Sequence, residues 1–564
     1  MLSKLFHSFV GLSFEFKEHT ITSCGVVSIL LAATFAISCY AWFIKKPTRS
    51  TPPLPPGPRA LPLVGNILSV EPNLHRYFAK LSQIYGPIFK FYLGRKLCIV
   101  IGSPSLAKQV LKEHDVVFAN RDPSAAASVL TYGGKSIGAS PEWPKLRQVL
   151  VRETMSNTSL NSSSAIRRQA VLRSMKDVSG RVGSPIKVGE LMFLTSLDVA
   201  TRMLWGASLR GEDWDAVAIQ FREVLEEMFQ VLGDYLMPLM FTSEVVHSVY
   251  SKRMDMDEEG TPDSNLAFCE FYDATFAISC YAWFIKKPTR SSPPLPPGPR
   301  ALPLAGNILS VEPNLHLYFA KLSQIYGPVF KFYLGRKFSA KIFESLLRPG
   351  QSGQGRNEGK SSKDFLQTLL ELQQQGDYSL SMDQIKALFM DLVIGSTDTT
   401  SITVEWAMSE LLQKPEVMRK ACNELEQVVA LDSVVEEFHL AKLPYLEANV
   451  KETLRLHPPA PLLTSRRPSV TSNLSGYTIP KGSTIFINAW AIQRNPEVWE
   501  NPQDFQPDRF LKDVKIGDFR GNNFNYLPFG SGRRICPAIP LAEKIVPYVL
   551  ANLLHLFKWS LLEG

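Results

Sequence analysis

The hydrophobic pattern along the chain predicts a mainly α protein with a small β region. Three apolar runs stand out: Cys24–Ile44, Ile385–Leu412 and Ile539–Leu556. The last two are flanked by polar residues and read as helices of a packed core. The first, CGVVSILLAATFAISCYAWFI, carries no charge over its 21 residues. At about 1.5 Å per residue it spans roughly 31 Å, close to the hydrocarbon core of a bilayer. Tyr40 and Trp42 sit near one end, where interfacial aromatics are found. Lys45, Lys46, Arg49 and Arg59 follow, whereas Lys4 and Lys17 before the run are matched by Glu15 and Glu18. The positive-inside rule then places everything after residue 44 in the cytosol. The run is long for a cleaved leader and ends in Lys-Lys rather than small residues, so it is expected to be an anchor. TPPLPPGP, Thr51–Pro58, is expected to be a semi-rigid spacer. Strands are expected near Phe89–Ile101 and around Tyr477–Ile487.

One stretch is written twice. Residues Ala33–Lys96 recur as Ala274–Lys337 with four differences over 64 positions: Thr51/Ser292, Val64/Ala305, Arg76/Leu317 and Ile88/Val329. Solenoid repeats are shorter and more numerous. The second copy holds only about 12 apolar residues, Ala274–Ile285, too few to span a bilayer. The expected layout is an N-terminal lumenal segment 1–23, a transmembrane helix 24–44, a basic and proline-rich hinge 45–60, and a catalytic domain 61–564 interrupted by the copied segment 274–337.

Composition narrows the class. Hydrophobic content of 45% and charged content of 20% suit a globular chain with a real core. The formal charge of +8 is scattered without a long basic run, which argues against nucleic acid as a partner. A mildly basic face suits an acidic protein or an anionic membrane better. The seven cysteines form no C-x-x-C pair, and reduced thiols in a cytosol-facing domain fit best.

The candidate chemistry lies in FNYLPFGSGRRICPA, Phe524–Ala538. Phe529, Gly532, Arg534 and Cys536 fall in the spacing F-x-x-G-x-R-x-C. A cysteine thiolate can be the axial ligand of haem iron, and it then needs shielding and backbone N–H donors. Gly532 would let the loop pass close to a porphyrin. Arg534 would pair with a haem propionate. Phe, Gly and Arg in place together separate Cys536 from an ordinary core cysteine.

With this loop the chain resembles the cytochrome P-450 superfamily, and within it the plant microsomal members of the A type that hydroxylate flavonoids and terpenoids. The resemblance covers most of residues 24–235 and 338–562. It implies a cytochrome P-450 fold around haem b, with Cys536 on the iron. It implies that Glu452 and Arg455 in KETLR, with Arg509 in FQPDRF, form a buried charge cluster behind the haem. Trp143 and Arg147 in WPKLR, i and i+4 on a helix, would face a haem propionate. Arg466 is the candidate for the other propionate, although Arg467 beside it leaves two alignments open. Gly395–Thr400, GSTDTT, matches the oxygen-activation motif, and Asp398 with Thr399 would relay protons. The alternative for Thr399 is a hydroxyl bonded back to a helical carbonyl. His457 in RLHPP reads as structural, and the Ala/Ser-rich stretch Pro123–Ser140 as part of the substrate pocket. The resemblance further implies NADPH electrons through an NADPH-cytochrome P-450 reductase, a small apolar substrate, and single-pass residence in the endoplasmic reticulum membrane. Each motif occurs once, so the chain reads as one enzyme carrying a copied piece of itself.

The sequence departs from the family at four places. Ser396 stands where a glycine is expected, and its hydroxyl is expected to narrow the site and add a polar group. Ala538, after Pro537, also replaces a glycine and is expected to add a methyl near the porphyrin. The text that would form helices roofing the substrate channel fades after LEEMFQVLGDY and resumes near Ile342. The chain ends soon after Ile539–Leu556, where the family continues into a strand pair. Two alternatives to a monooxygenase therefore remain open on the sequence. One is a haem-thiolate isomerase or dehydratase. The other is an inert product of a mis-assembled coding sequence.

Overall fold

A computed structural model describes residues 52–61, 65–71, 73–121, 131–205, 332–334, 337–339, 365–375, 380–430 and 433–561. The expected anchor 24–44 and nearly all of the second copy lie outside them. Among the described residues no helix is long and apolar enough to cross a membrane.

In chain order the main elements are α1 (Leu74–Tyr85), β1 (Ile88–Leu93), β2 (Lys96–Ile101), α2 (Pro104–Lys108), α3 (Asp115–Phe118), α4 (Trp143–Glu153), α5 (Asn157–Ser162), α6 (Ser164–Ser179) and α7 (Val188–Trp205). They continue with β3 (Phe332–Leu334), β4 (Lys337–Ser339), α8 (Phe365–Gln375), α9 (Met382–Gln413), α10 (Pro415–Val428), α11 (Pro444–Leu456), β5 (Ser472–Leu474), β6 (Tyr477–Ile479), β7 (Thr484–Ile487), α12 (Ala489–Ile492), α13 (Asp508–Lys512) and α14 (Ile539–Leu556).

Helix α9 is the axis of the molecule, 32 residues and so roughly 48 Å long. Its start is set by a capping box. Gln384 N–H donates to Ser381 Oγ at 3.2 Å, and Ser381 N–H donates to Gln384 Oε1 at 2.9 Å. Its end is set by Pro415, which holds Lys414 out of helical geometry and opens α10. One core joins Val404, Ala407 and Leu411 of α9 to Met192 of α7 and Tyr548, Val549 and Leu553 of α14. A second joins Ile385 and Leu388 of α9 to Leu146 and Val149 of α4, Phe193 and Leu197 of α7, and Leu541 of α14. The helix is therefore buried on several faces, and its buried threonines and serines bond back to its own carbonyls, as Thr397 Oγ1 does to Val393 O and Ser401 Oγ to Thr397 O.

The β region lies where the pattern places it. β1 and β2 pair antiparallel, from Ile88↔Ile101 to Leu93↔Lys96. β2 also pairs in parallel with β7, Cys98↔Thr484 through Ile101↔Ile487. The segment around Tyr477–Ile487 thus divides: β6 closes a hairpin with β5, and β7 joins the first sheet. Phe78 of α1 seals that sheet against Phe89, Phe91 and Phe486, with Phe78 and Phe91 edge to face at 5.3 Å.

The described part of the proline-rich segment, expected to be a semi-rigid spacer, docks on the β1–β2–β7 sheet and on the β5–β6 hairpin. Lys90 N–H donates to Pro56 O at 2.7 Å and Thr478 N–H to Pro53 O at 2.8 Å. A Cβ at Gly57 would lie 2.1 Å from Lys90 O, so only glycine lets the chain lie this close. In the second copy, β3 and β4 repeat the hairpin tip of the first: Leu334↔Lys337 matches Leu93↔Lys96.

Candidate active site

The Phe529–Cys536 loop reverses the chain just before α14. Cys536 N–H donates to Phe529 O at 3.0 Å, closing the turn. Gly530 and Gly532 take left-handed φ of 72° and 68°. A Cβ at Gly532 would lie 1.8 Å from Leu111 O. The glycine is thus required by its own φ and by the backbone following α2, a tighter reason than the porphyrin approach expected from sequence. Phe529 packs edge to face on Phe519 at 5.3 Å. Ser531 Oγ donates to Gly521 O at 2.6 Å. Burial pushes the Cys536 thiol up; the Ala538 amide bonded to it, Arg147 and Arg121 pull the other way. Those are the donors and cations that a thiolate ligand needs. Ala538 has φ −95° and lies against the apolar core around Leu146, so nothing in its backbone asks for glycine.

Arginines converge on this loop from four parts of the chain. Arg147, on α4, donates Nη1 to Ile535 O at 2.5 Å. Arg534 donates Nε to Ala119 O at 2.9 Å and Nη1 to Ile137 O at 2.5 Å, and Trp143 covers its guanidinium at 3.9 Å. Trp143 and Arg147 do share a face of α4, but the tryptophan acts on Arg534. Arg466 is buried and reaches Ser531 O at 3.4 Å, whereas Arg467 lies at the Gly482 turn. Arg121 is the fourth and was missed from sequence; nothing in Asn120–Arg121–Asp122 distinguishes it from a loop cation. Burial lowers Arg121 to about 10, Arg466 to about 9 and Arg534 to about 8, with repulsion from neighbouring arginines adding to the effect in all three. Asp391 is the carboxylate acting on Arg121 and Arg534. Arg121 Nε and Arg466 Nη1 are buried without an acceptor. A guanidinium stays charged, so such a cluster calls for added anions. Haem b, with its carboxylates and its iron open to a thiolate, fits both halves of the site.

Behind the loop, Glu452 and Arg455 of α11 are fully buried and paired side-on, Nε to Oε2 at 2.7 Å and Nη2 to Oε1 at 2.8 Å. Arg509 Nε adds a bond to Glu452 Oε1 at 3.1 Å. Arg455 spends its remaining N–H groups on Gln493 O, Pro502 O and Asp504 O at 3.0, 2.8 and 3.0 Å. All five of its donors are satisfied. Gln493 extends the network: Nε2 donates to Leu454 O and Arg455 O, and Oε1 accepts Leu527 N–H at 2.9 Å. The cluster thereby fixes the approach to the cysteine loop. His457 stacks on Trp406 at 3.7 Å and bonds Glu410 at 2.8 Å, a structural place.

On α9, Thr399 Oγ1 donates to Gly395 O at 2.7 Å. This is the back-bonded arrangement that sequence offered as the alternative to a relay. It leaves the hydroxyl lone pairs as acceptors on the open side of the helix, where a Cβ at Gly395 would meet nothing within 4 Å. Asp398 is half-buried on the next position. Ser396 departs from its expectation. Its Oγ is enclosed and has no hydrogen-bond partner, so it adds no polar group to the open space.

Comparison with known proteins agrees with this geometry. The sequence model of the family described as Cytochrome P450 matches residues 55–258 and 340–564, and so passes over the whole of the second copy. Carnosic acid synthase of Salvia pomifera is 33% identical, over 95% of this chain and 94% of its own. 7-ethoxycoumarin O-deethylase of Helianthus tuberosus is 33% identical, over 90% and 88%. Among solved structures, a zebra fish cytochrome P450 with progesterone aligns over 86% of this chain and 92% of its own, with TM-score 0.58 and 20% identity.

Proposed function

The chain belongs to the cytochrome P450 family, and from that premise we propose that it is a membrane-anchored hydroxylase of apolar plant secondary metabolites of the terpenoid or phenolic kind. Haem b is its cofactor, a reductase supplies its electrons, and its reaction is monooxygenation. When bound, the haem supplies the oxygen chemistry. Cys536 would be its ligand, Arg121, Arg147, Arg466 and Arg534 would meet its carboxylates, and Asp398 with the Thr399 hydroxyl would move protons. The carrying observation is Cys536 just before α14, with Arg147 and Arg121 acting on it and with Arg121 and Arg466 each holding a buried N–H that lacks an acceptor.

The substrate class rests on the relatives, whose names include carnosic acid, sugiol and ferruginol synthases and a coumarin deethylase. The charge asymmetry around Cys24–Ile44 supports a single-pass anchor in the endoplasmic reticulum with residues 61–564 cytosolic. Residues 274–337 are read as an internal copy inserted into one catalytic domain, because each site motif occurs once.

The test is the difference spectrum of the reduced, carbon-monoxide-bound protein in membranes. A strongly red-shifted Soret band is expected. Phenolic diterpenes and alkoxycoumarins are then offered with NADPH and a plant reductase under labelled dioxygen. One labelled oxygen atom in the product supports the reading. Turnover without NADPH would replace it with a non-oxidative haem-thiolate reaction.

A further inference from the structure

The loop between Thr131 and Glu142 is tied to helix α9 by several side chains. Lys135 Nζ lies 2.5 Å from Asp383 Oδ2, and Gln384 Nε2 donates to Glu142 Oε2 at 3.2 Å. The Lys135–Asp383 pair is 43% and 46% exposed, and exposed pairs hold a loop weakly. The remaining tie is of another kind. Ile137 N–H donates to Asp391 Oδ2 at 2.6 Å, and Asp391 is mostly buried on α9. Burial pushes its carboxyl up to about 7, against the pull of the Ile137 amide, Arg121, Ser136 and Arg534.

The same peptide neighbourhood faces the cysteine loop. Ile137 C=O accepts Arg534 Nη1 at 2.5 Å, and Gly138 C=O lies 3.5 Å from Arg121 Nη1. Arg534 stands two residues before Cys536. A continuous line of hydrogen bonds therefore runs from α9, through Ile137, to the loop that bears Cys536. Motif spacing does not reveal it, because Asp391 and Ile137 are 254 residues apart.

We propose that Asp391 is a positioning residue of the haem site: by holding the Ile137 amide it aims the Ile137 carbonyl at Arg534, and so sets the path of the loop carrying Cys536. The proposal rests on the haem-thiolate reading above. The hold on the loop requires an acceptor oxygen at position 391; the carboxylate's attraction for Arg121 and Arg534 is a separate effect, which Asp391→Asn removes while keeping the oxygen. Asparagine can supply that oxygen; leucine, of similar size, cannot.

The experiment uses the full chain in membranes with haem bound. Three variants separate the possibilities: Asp391→Asn, Asp391→Leu, and Ile137→Pro, which removes the donated N–H and leaves Asp391 in place. The measurements are haem transfer to apomyoglobin, the red-shifted and blue-shifted fractions of the carbon-monoxide band, and the melting temperature. Asp391→Asn is expected to stay within about twofold of the parent. Asp391→Leu and Ile137→Pro are expected to lose haem about tenfold faster and to share a larger blue-shifted fraction, the scale typical of lost outer-shell support. If Asp391→Leu does not fold, Ile137→Pro carries the comparison. Parent-like haem retention in Asp391→Leu or Ile137→Pro overturns the proposal, as does an Asp391→Asn as defective as Asp391→Leu. Absence of any haem band in the parent chain would instead reject the haem-thiolate reading itself.

Discussion

Glu452→Ala removes the centre of the network behind the haem. Four donors lose their acceptor: Arg455 Nε and Nη2, Arg509 Nε, and the Gln506 amide at 2.8 Å. Arg455 stays fully buried, still bonded to three backbone carbonyls, and cannot swing out to water. Leaving a buried guanidinium without its carboxylate costs about 3–5 kcal/mol. For a chain of this size that corresponds to a melting temperature about 3–4 °C lower. Thermal melts of the haem-loaded protein, read together with the carbon-monoxide band, measure it. The double variant Glu452→Leu/Arg455→Leu is the informative control. Replacing a simple buried ion pair by apolar residues is often harmless. Here the double change would orphan the carbonyls of Gln493, Pro502 and Asp504, so it is expected to be no more stable than Glu452→Ala. A Glu452→Ala melt within about 1 °C of the parent, or a double variant restored to parent stability, would refute the reasoning.

Gly532→Ala is expected to abolish the red-shifted carbon-monoxide band. The added Cβ meets Leu111 O at 1.8 Å in a left-handed conformation, so either the loop or the backbone after α2 must move. Ser396→Ala is expected to raise stability by about 1 kcal/mol, because it deletes an enclosed hydroxyl without a partner and improves helix propensity; a destabilised variant in urea melts would show that the hydroxyl is satisfied. His75 is held neutral in the folded chain. Burial, then Arg76 and Arg494, lower it from 6.5 to about 3. The unfolded ring takes up its proton below about 6.5 and the folded ring does not, so stability is lost as pH falls from there toward 3. His75→Gln is expected to flatten that part of the melting-temperature profile, and an unchanged slope between pH 7 and 5 would count against it.

Much of the site was legible because its chemistry is local. F-x-x-G-x-R-x-C fits in one loop, E-x-x-R within one helical turn, and Trp143 with Arg147 on one helix face. Together they carry the resemblance to the cytochrome P-450 family, and it is that resemblance which implies a thiolate ligand and a buried ion pair. The long apolar runs marked α9 and α14, and the strands expected near Phe89–Ile101 correspond to β1 and β2. Other features depend on residues far apart in the chain. Only the fold reveals that β7 completes the first sheet, that Arg121 joins Arg147, Arg466 and Arg534, and that Thr399 spends its proton on Gly395 O. Only the fold turns the Ser396 hydroxyl away from open space and binds the proline-rich segment to the sheets. A local pattern states which face of an element must be buried and which chemistry a loop can offer. Which distant carbonyl, carboxylate or guanidinium meets it is decided when the helices pack, because hydrogen bonds and ion pairs between elements require positions fixed to a few tenths of an ångström, which no spacing in sequence encodes.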